Sequence, residues 1–535
     1  MSAASNRNSD AIGVIDIFAG PGGLGEGFSS LETRPGSGNH PFELAISAEM
    51  EASAHDTLRL RAFYRLLCRQ EGAPPPEYFE YLRRVAKGGA PCPPDYFGGG
   101  KWKALWEEAS REALNLTLGL DEHNRILFER IDGVRDRYKE IILIGGPPCQ
   151  AYSLVGRSRQ SKDRSFRTKG STKHFLYKQY LGILAGYSPA IFIMENVKGI
   201  LTSRVGKNEM FDAIVRDLHD PAAALAGSAS SSGQSKRYVL LPIHVDAESG
   251  QERTAERVAG NPGEFIIRCE NHGIAQARHR VIIMGVREDL VGPGVAKVPG
   301  LDTRGTRESI EKALAGLPKL RSGLSRQPDG PDQWMKVVAE ERDRVVKALR
   351  GHRSAITSEL KALVPDHTLP RRSINYTKET SPLAKWLRHP AQDVVLNHET
   401  RNHMPSDLGR YLFSAAFAKV HERSPSSEDF PMELAPDHVN WASGDFADRF
   451  RVQMKDLPSN TVTSHLSKDG HAFIHWDATQ CRSLTVREAA RLQSFPDDYL
   501  FLGNRTQQYV QVGNAVPPLI ARQIAKVVWS ILKLA

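Results

Sequence analysis

Cysteine is scarce in this chain of 535 residues, with five, at positions 68, 92, 149, 269 and 481. They are odd in number, widely scattered and without Cys-x-x-Cys or Cys/His ligand spacing. That excludes a disulfide framework and a zinc site, and points to the reducing cytoplasm. No apolar run approaches the roughly 18 residues that a membrane span needs. The N-terminus, Met1-Ser2-Ala3-Ala4-Ser5-Asn6-Arg7, lacks the apolar core of a signal peptide. There is no internal repeat. With 40% hydrophobic residues, the expectation is a soluble globular protein of two domains, or of one domain carrying large insertions.

Acidic charge is also in deficit: 62 Asp and Glu against 71 Lys and Arg leave a net charge of +9 and a pI of about 9.2. Such an excess favours a polyanionic partner only modestly. Its placement says more. Arg157, Arg159, Lys162, Arg164, Arg167, Lys169 and Lys173 follow one of the cysteines, opposed only by Asp163. Interspersed Ser, Gly and Thr predict a loop suited to clamping phosphates.

Strands expected at residues 12–18, 43–47, 141–144, 191–194 and 281–286 alternate with helical stretches. This predicts an α/β fold with a doubly wound, mostly parallel sheet. Residues 54–140 are helical in pattern, with breaks at Pro74-Pro75-Pro76 and Pro91-Cys92-Pro93-Pro94, and read as a helical insertion. Residues 226–234, rich in Ser, Gly and Ala, read as a surface linker. Residues 1–288 thus form a first domain. A second, irregular domain follows over 289–479, with an amphipathic helix over about 333–364. Residues 480–535 return to helix patterning and to the first domain.

The most informative peptide is Pro147-Pro148-Cys149-Gln150. Ile141-Ile142-Leu143-Ile144 reads as a buried parallel strand. Gly145-Gly146 break it, and the prolines stiffen the turn that presents Cys149. The thiol then sits just past the carboxyl end of a strand, where open α/β sheets bind ligands. Only a few per cent of a free thiol is ionised near neutrality, so a nucleophile here needs a tuned environment.

Three further segments point to the same edge. Asp16-Ile17-Phe18-Ala19-Gly20-Pro21-Gly22-Gly23-Leu24-Gly25 has nucleotide-turn spacing, and Glu49 is placed to grip ribose hydroxyls. Those residues alone fit NAD as well as S-adenosylmethionine. Glu195, ending the 191–194 strand, can donate a proton to a ring nitrogen if burial raises its pKa. Gln276, Arg278 and Arg280 share one face if their backbone is extended.

Taken in order, these blocks resemble the DNA (cytosine-5) methyltransferase family of bacterial type. Two late blocks add to the match: Arg482-Ser483-Leu484-Thr485, continuing to Phe495-Pro496, and Gln511-Val512-Gly513-Asn514-Ala515-Val516-Pro517-Pro518. The resemblance implies a Rossmann-like catalytic domain, with 289–479 as the target-recognition domain. It implies S-adenosyl-L-methionine as cofactor, held by Phe18, Ala19, Gly20, Gly22, Gly23, Leu24, Glu49, Pro148 and Asn514. Cys149 would add to C6 of a flipped-out cytosine. Glu195 would donate to N3, and Arg278 would favour the anionic ring at O2. Gln150, Ser153, Arg157, Arg159, Arg280 and Thr461 would contact DNA. The expected partner is double-stranded DNA, and the enzyme is expected to be a monomer, free of metal and membrane, with a separately encoded cognate nuclease. Two departures stand out. Gly273-Ile274-Ala275-Gln276 carries alanine where the family has proline. The acid for the cofactor's adenine falls within 54–140, with Asp132 a weak candidate. Three alternatives remain open at this point. Relatives use the same core to methylate tRNA cytosine. An NAD-dependent oxidoreductase explains only the glycine turn. An idle DNA-binding module leaves Cys149 and Glu195 without use.

Overall fold

The computed structural model describes residues 11–90, 92–148, 164–202, 204–205, 208–225, 236–244, 253–255, 261–302, 307–349, 353–436, 441 and 449–534. Its centre is an eight-stranded sheet built from β1 (Ile12–Ile17), β2 (Phe42–Glu49), β3 (Ala113–Asn115), β4 (Glu140–Gly145), β5 (Ile191–Val197), β6 (Tyr238–Leu241), β7 (Ile266–Arg268) and β8 (His279–Arg287). The order is β3-β2-β1-β4-β5-β8-β6, with β7 paired to β8. The first five run parallel, and β8 runs antiparallel to β5, β6 and β7. The expected doubly wound, mostly parallel sheet is therefore present.

Continuous apolar runs suit strands covered on both faces. Ile15 and Ile17 pack with Tyr180 and Leu184 on one side. Val14 and Ile144 pack with Phe28, Ile524 and Val528 on the other. By length and composition residues 505–532 pass for a membrane span. Here they form two helices, Arg505–Asn514 and Pro518–Leu532, and the apolar face of the second is buried on the sheet.

Register brings the functional segments level. Ile17 pairs with Ala48 and Gly145, Gly145 with Met194, and Glu49 with Asn115. Because β8 is antiparallel, it starts at this same edge, with Arg280 opposite Val197.

Some elements depart from expectation. The segment 54–140 is not wholly an insertion, because it contains β3, and the helix Asp121–Arg135 leads from β3 back to β4. A three-residue strand carries too little periodicity to read. The added part is chiefly the helices Pro76–Lys87 and Lys103–Glu112, whose core includes Tyr78, Phe97 and Trp106. The helix expected over 333–364 is two, Pro331–Ala348 and Ser354–Ala362, the second preceded by Arg353 at a left-handed φ of 64°. These helices and Pro405–His421 enclose a separate core around Trp334, Val338, Leu412 and Phe417.

Candidate active site

The turn after β1 is built from left-handed backbone: Phe18 at φ 56°, Gly20 at 57° and Gly22 at 95°. Glycine adopts that region without steric cost. Glu49, at the end of β2, accepts from the Gly20 N–H at 2.9 Å and from the Glu51 N–H at 2.8 Å. Burial raises the pKa of its carboxyl. A Cβ on Gly20 would meet nothing within 4 Å, so the space over the turn is open. A Cβ on Gly23 would instead fall 2.2 Å from the Val516 carbonyl oxygen. The chain end thus closes on the turn and brings exposed Asn514 beside it. Ala19 is tied to β2 through its N–H and the Ala48 carbonyl, and Leu24 lies in the core beneath. The turn and Glu49 form a cradle of the kind that the ribose and polar tail of S-adenosylmethionine require.

Three residues at this edge have a bearing that sequence reasoning missed. Asp16 is fully buried, with its carboxylate against the Gly25 backbone. Burial pushes its pKa up to about 8, against the lowering influence of Arg65. Met50, next to Glu49, is 62% exposed. The Asn115 side-chain amide donates to the carbonyls of Glu49 and Met50 at 3.0 and 3.2 Å. An exposed methionine following the ribose-spaced acid was a usable signal, whereas Asn115 needed β3 to be recognised. Asp132 is exposed near the end of the Asp121–Arg135 helix. The chain turns there to begin β4, at the opposite edge of the sheet, so Asp132 does not reach the cradle.

The turn after β4 is equally constrained. A Cβ on Gly145 would lie 2.2 Å from the Ile17 carbonyl oxygen, and one on Gly146 would lie 2.8 Å from Glu195 Oε2. Buried Asn196 donates its amide to the Pro147 carbonyl at 3.0 Å. Pro148 is exposed at the end of this turn. Cys149, Gln150, Ser153, Arg157 and Arg159 lie outside the described residues. The Glu195 carboxylate is accordingly packed against Gly146, three residues before Cys149.

The arginines divide. Arg280 Nε lies 2.8 Å from Glu195 Oε1, with both side chains about one-seventh exposed. Arg278 faces elsewhere and donates to the carbonyls of Val462 at 2.7 Å, Ala515 at 2.8 Å and Gly513 at 3.3 Å. Burial, reinforced by Arg280, lowers its pKa to about 9. The expected common face for Gln276, Arg278 and Arg280 therefore does not hold. A tight turn, Arg278 N–H to the Gln276 carbonyl at 2.9 Å, interrupts the extended backbone. Gln276 sides with Arg278, bonding the Val462 N–H and the Leu492 carbonyl. Thr461 gives its hydroxyl to the Ala277 carbonyl at 2.7 Å.

A doubly wound sheet with a glycine turn, a ribose-spaced acid and a carboxylate–guanidinium pair at one edge fits the class of Rossmann-like methyltransferases. The chain belongs to the C-5 cytosine-specific DNA methylase family, whose model matches residues 128–221 and 265–530. It is 31% identical to the type II methyltransferase M.Bpa9945I of Bacillus paralicheniformis over 97% of this chain and 99% of that one. It is 26% identical to the type II methyltransferase M.AgeI of Thalassovita gelatinovora over 72% and 82%. It is 24% identical to the DNA (cytosine-5-)-methyltransferase M.ApeKI of Aeropyrum pernix over 73% and 81%. The matching model is described by cytosine C5 of DNA, as is the relative from Aeropyrum pernix, and neither points to an oxidoreductase or to tRNA.

Proposed function

We propose that this DNA cytosine-5 methyltransferase modifies a specific double-stranded sequence by covalent catalysis from Cys149. We further propose that it is the modification partner of a separately encoded restriction nuclease. The observation that supports the chemistry is the Glu195–Arg280 pair lodged against Gly146, on the turn leading to Cys149. Cytosine C5 is a poor nucleophile in the aromatic ring. Addition of the Cys149 thiolate to C6 forms an S–C6 bond and pushes electron density onto C5, N3 and O2. Glu195, once protonated, delivers its proton to N3. Arg280, rather than Arg278, faces the charge developing at O2. S-adenosylmethionine, when bound over Phe18–Gly23, supplies an electrophilic methyl group to C5. Loss of the C5 proton to a solvent base, cleavage of the S–C6 bond with its electron pair leaving on sulfur, and return of the N3 proton to Glu195 then restore the ring and free the Cys149 thiolate. Glu49 would hold the ribose, while Met50 and Asn115 would face the adenine. Gln150, Ser153, Arg157 and Arg159 would hold DNA phosphates and the space left by the flipped base, and the 289–479 domain would read the sequence.

The test is a duplex carrying 5-fluorocytosine at the target, where the C5 substituent cannot leave. With cofactor present, the wild type should form a denaturation-resistant protein–DNA adduct. Cys149→Ser should form none and lose more than about a thousandfold in methylation, while keeping its affinity for S-adenosylhomocysteine. Near-normal turnover by Cys149→Ser would overturn the assignment.

A further inference from the structure

The helices Pro76–Lys87 and Lys103–Glu112 have no part in the chemistry above, yet their core takes in residues from far along the chain. Val394, Leu396 and Leu500 are packed with Tyr78, Phe97 and Trp106. Val394 and Leu396 belong to a strap, residues 370–400, whose arms pair antiparallel at Arg372↔Glu399 and Asn375↔Val394. The root of the strap is tied to the body of the second domain. The Arg321 N–H donates to the Pro370 carbonyl at 3.0 Å. The Thr400 hydroxyl donates to the Arg321 carbonyl at 2.8 Å, and Arg371 pairs with Asp329 at 3.1 Å.

The tip of the strap leaves that body and is held from two sides. On one side are the late helices: the Trp386 indole donates to the Ser494 carbonyl at 2.7 Å, Tyr376 donates to Asp497 at 2.9 Å, and Arg487 donates to the Leu396 carbonyl at 2.9 Å. On the other side is the inserted helix Pro76–Lys87. Phe79 stacks on His389, with ring centroids 4.9 Å apart and planes at 21°. Arg83 meets both carboxylate oxygens of Asp393 at 2.9 Å. Nearer the root, Arg372 donates to the carbonyls of Val85 and Ala86 of the same inserted helix.

We propose that the inserted helices are an abutment that sets the angle of the recognition domain over the reaction edge, and that Phe79, Arg83, Arg372 and His389 are positioning residues for DNA target choice. This rests on the reading of 289–479 as the recognition domain. The strap is a lever with its root in that domain and its tip clamped between the insertion and the late helices. Close-packed contacts transmit displacement rather than absorb it. An exposed ion pair such as Arg83–Asp393 adds little stability; what it supplies is a charged contact between the insertion and the strap. A tilt of the recognition domain displaces the base contacts that set sequence choice, while the reaction edge itself is untouched.

The experiment uses the full-length enzyme with cofactor and duplexes carrying the cognate site or single-base variants of it. For His389→Ala combined with Arg372→Ala, kcat on saturating cognate DNA and affinity for S-adenosylhomocysteine should stay within about twofold. KM for cognate DNA should rise about fivefold or more, and discrimination against single-base variants should fall about tenfold. Arg83→Asp and Asp393→Arg should each lower discrimination at unchanged Tm, and the two together should restore it, so that stability does not carry the effect. Wild-type KM and discrimination in these folded variants, or a swap that fails to rescue, would overturn the proposal. Exchanging 289–479 for a relative's segment and finding the original site still methylated would overturn the recognition reading itself, whatever the abutment variants do.

Discussion

Arg278 and Arg280 stand two residues apart and serve different ends. Arg278→Ala leaves buried carbonyls at Val462, Gly513 and Ala515 without their donor. It is expected to cost about 3–5 kcal/mol in denaturant unfolding, with kcat of the folded enzyme little changed. Arg280→Ala removes the charge that faces Glu195. It is expected to lower kcat about 10²- to 10³-fold with a much smaller effect on unfolding. The reverse pattern would return the pocket role to Arg278. Asp16 allows a pH test. Its carboxyl titrates at about 8 when folded, against a reference value of 3.8. Below the reference value both states are protonated. As pH rises to about 8, only the unfolded chain loses the proton, so folding stability falls across that window and is level beyond it. Asp16→Asn removes this slope. Its Tm advantage over wild type should grow from about pH 4 to about pH 8 and then stay constant. A pH-independent difference would mean that the carboxyl is not neutral in the fold.

The late elements spend on internal ties three arginines that composition alone would offer to DNA. Thr485 caps the helix Val486–Leu492 and makes a reciprocal pair of bonds with Glu488. Arg482 grips Glu488 through two bonds of 2.7 Å, and Arg491 grips Asp497 at 2.9 and 2.7 Å. Arg487 spends its donors on the carbonyls of Leu396, Pro496 and Tyr499. All three arginines are buried, so this block is a set of internal ties. The block also holds the cofactor turn, since Tyr499 donates to the Pro21 carbonyl. Closure of the chain end on that turn is expected to be sensitive to a single methyl group. Gly23→Ala pushes a Cβ into the Val516 carbonyl and should destabilise by about 1–3 kcal/mol. It should also weaken S-adenosylhomocysteine binding by calorimetry, because the turn and the segment carrying Asn514 must part. Unchanged affinity and stability would show that the two segments are not coupled.

For the whole molecule, the sequence by itself determined the central strands of the sheet and the edge at which the candidate segments meet. Runs such as 141–144 can only be buried strands, glycines at 20 and 22 are needed where φ is positive, and local chemistry of that kind survives without tertiary context. It also placed Glu195 and Glu49 at strand ends, where the register now sets them level. Tertiary structure alone decided which arginine faces Glu195. The extended backbone is interrupted just ahead of β8, so Arg280 turns to Glu195 while Arg278 stays with Gln276, and nothing in the residues around it announces that break. The same holds for β3 and Asn115, because three residues become a strand only when an existing edge supplies their hydrogen bonds. The strap and the inserted helices follow the same rule. Phe79 and His389, or Arg83 and Asp393, are some 310 residues apart, and their pairing is set by how separately folded units dock. No local pattern encodes such contacts, since each partner would be an ordinary surface residue on its own element.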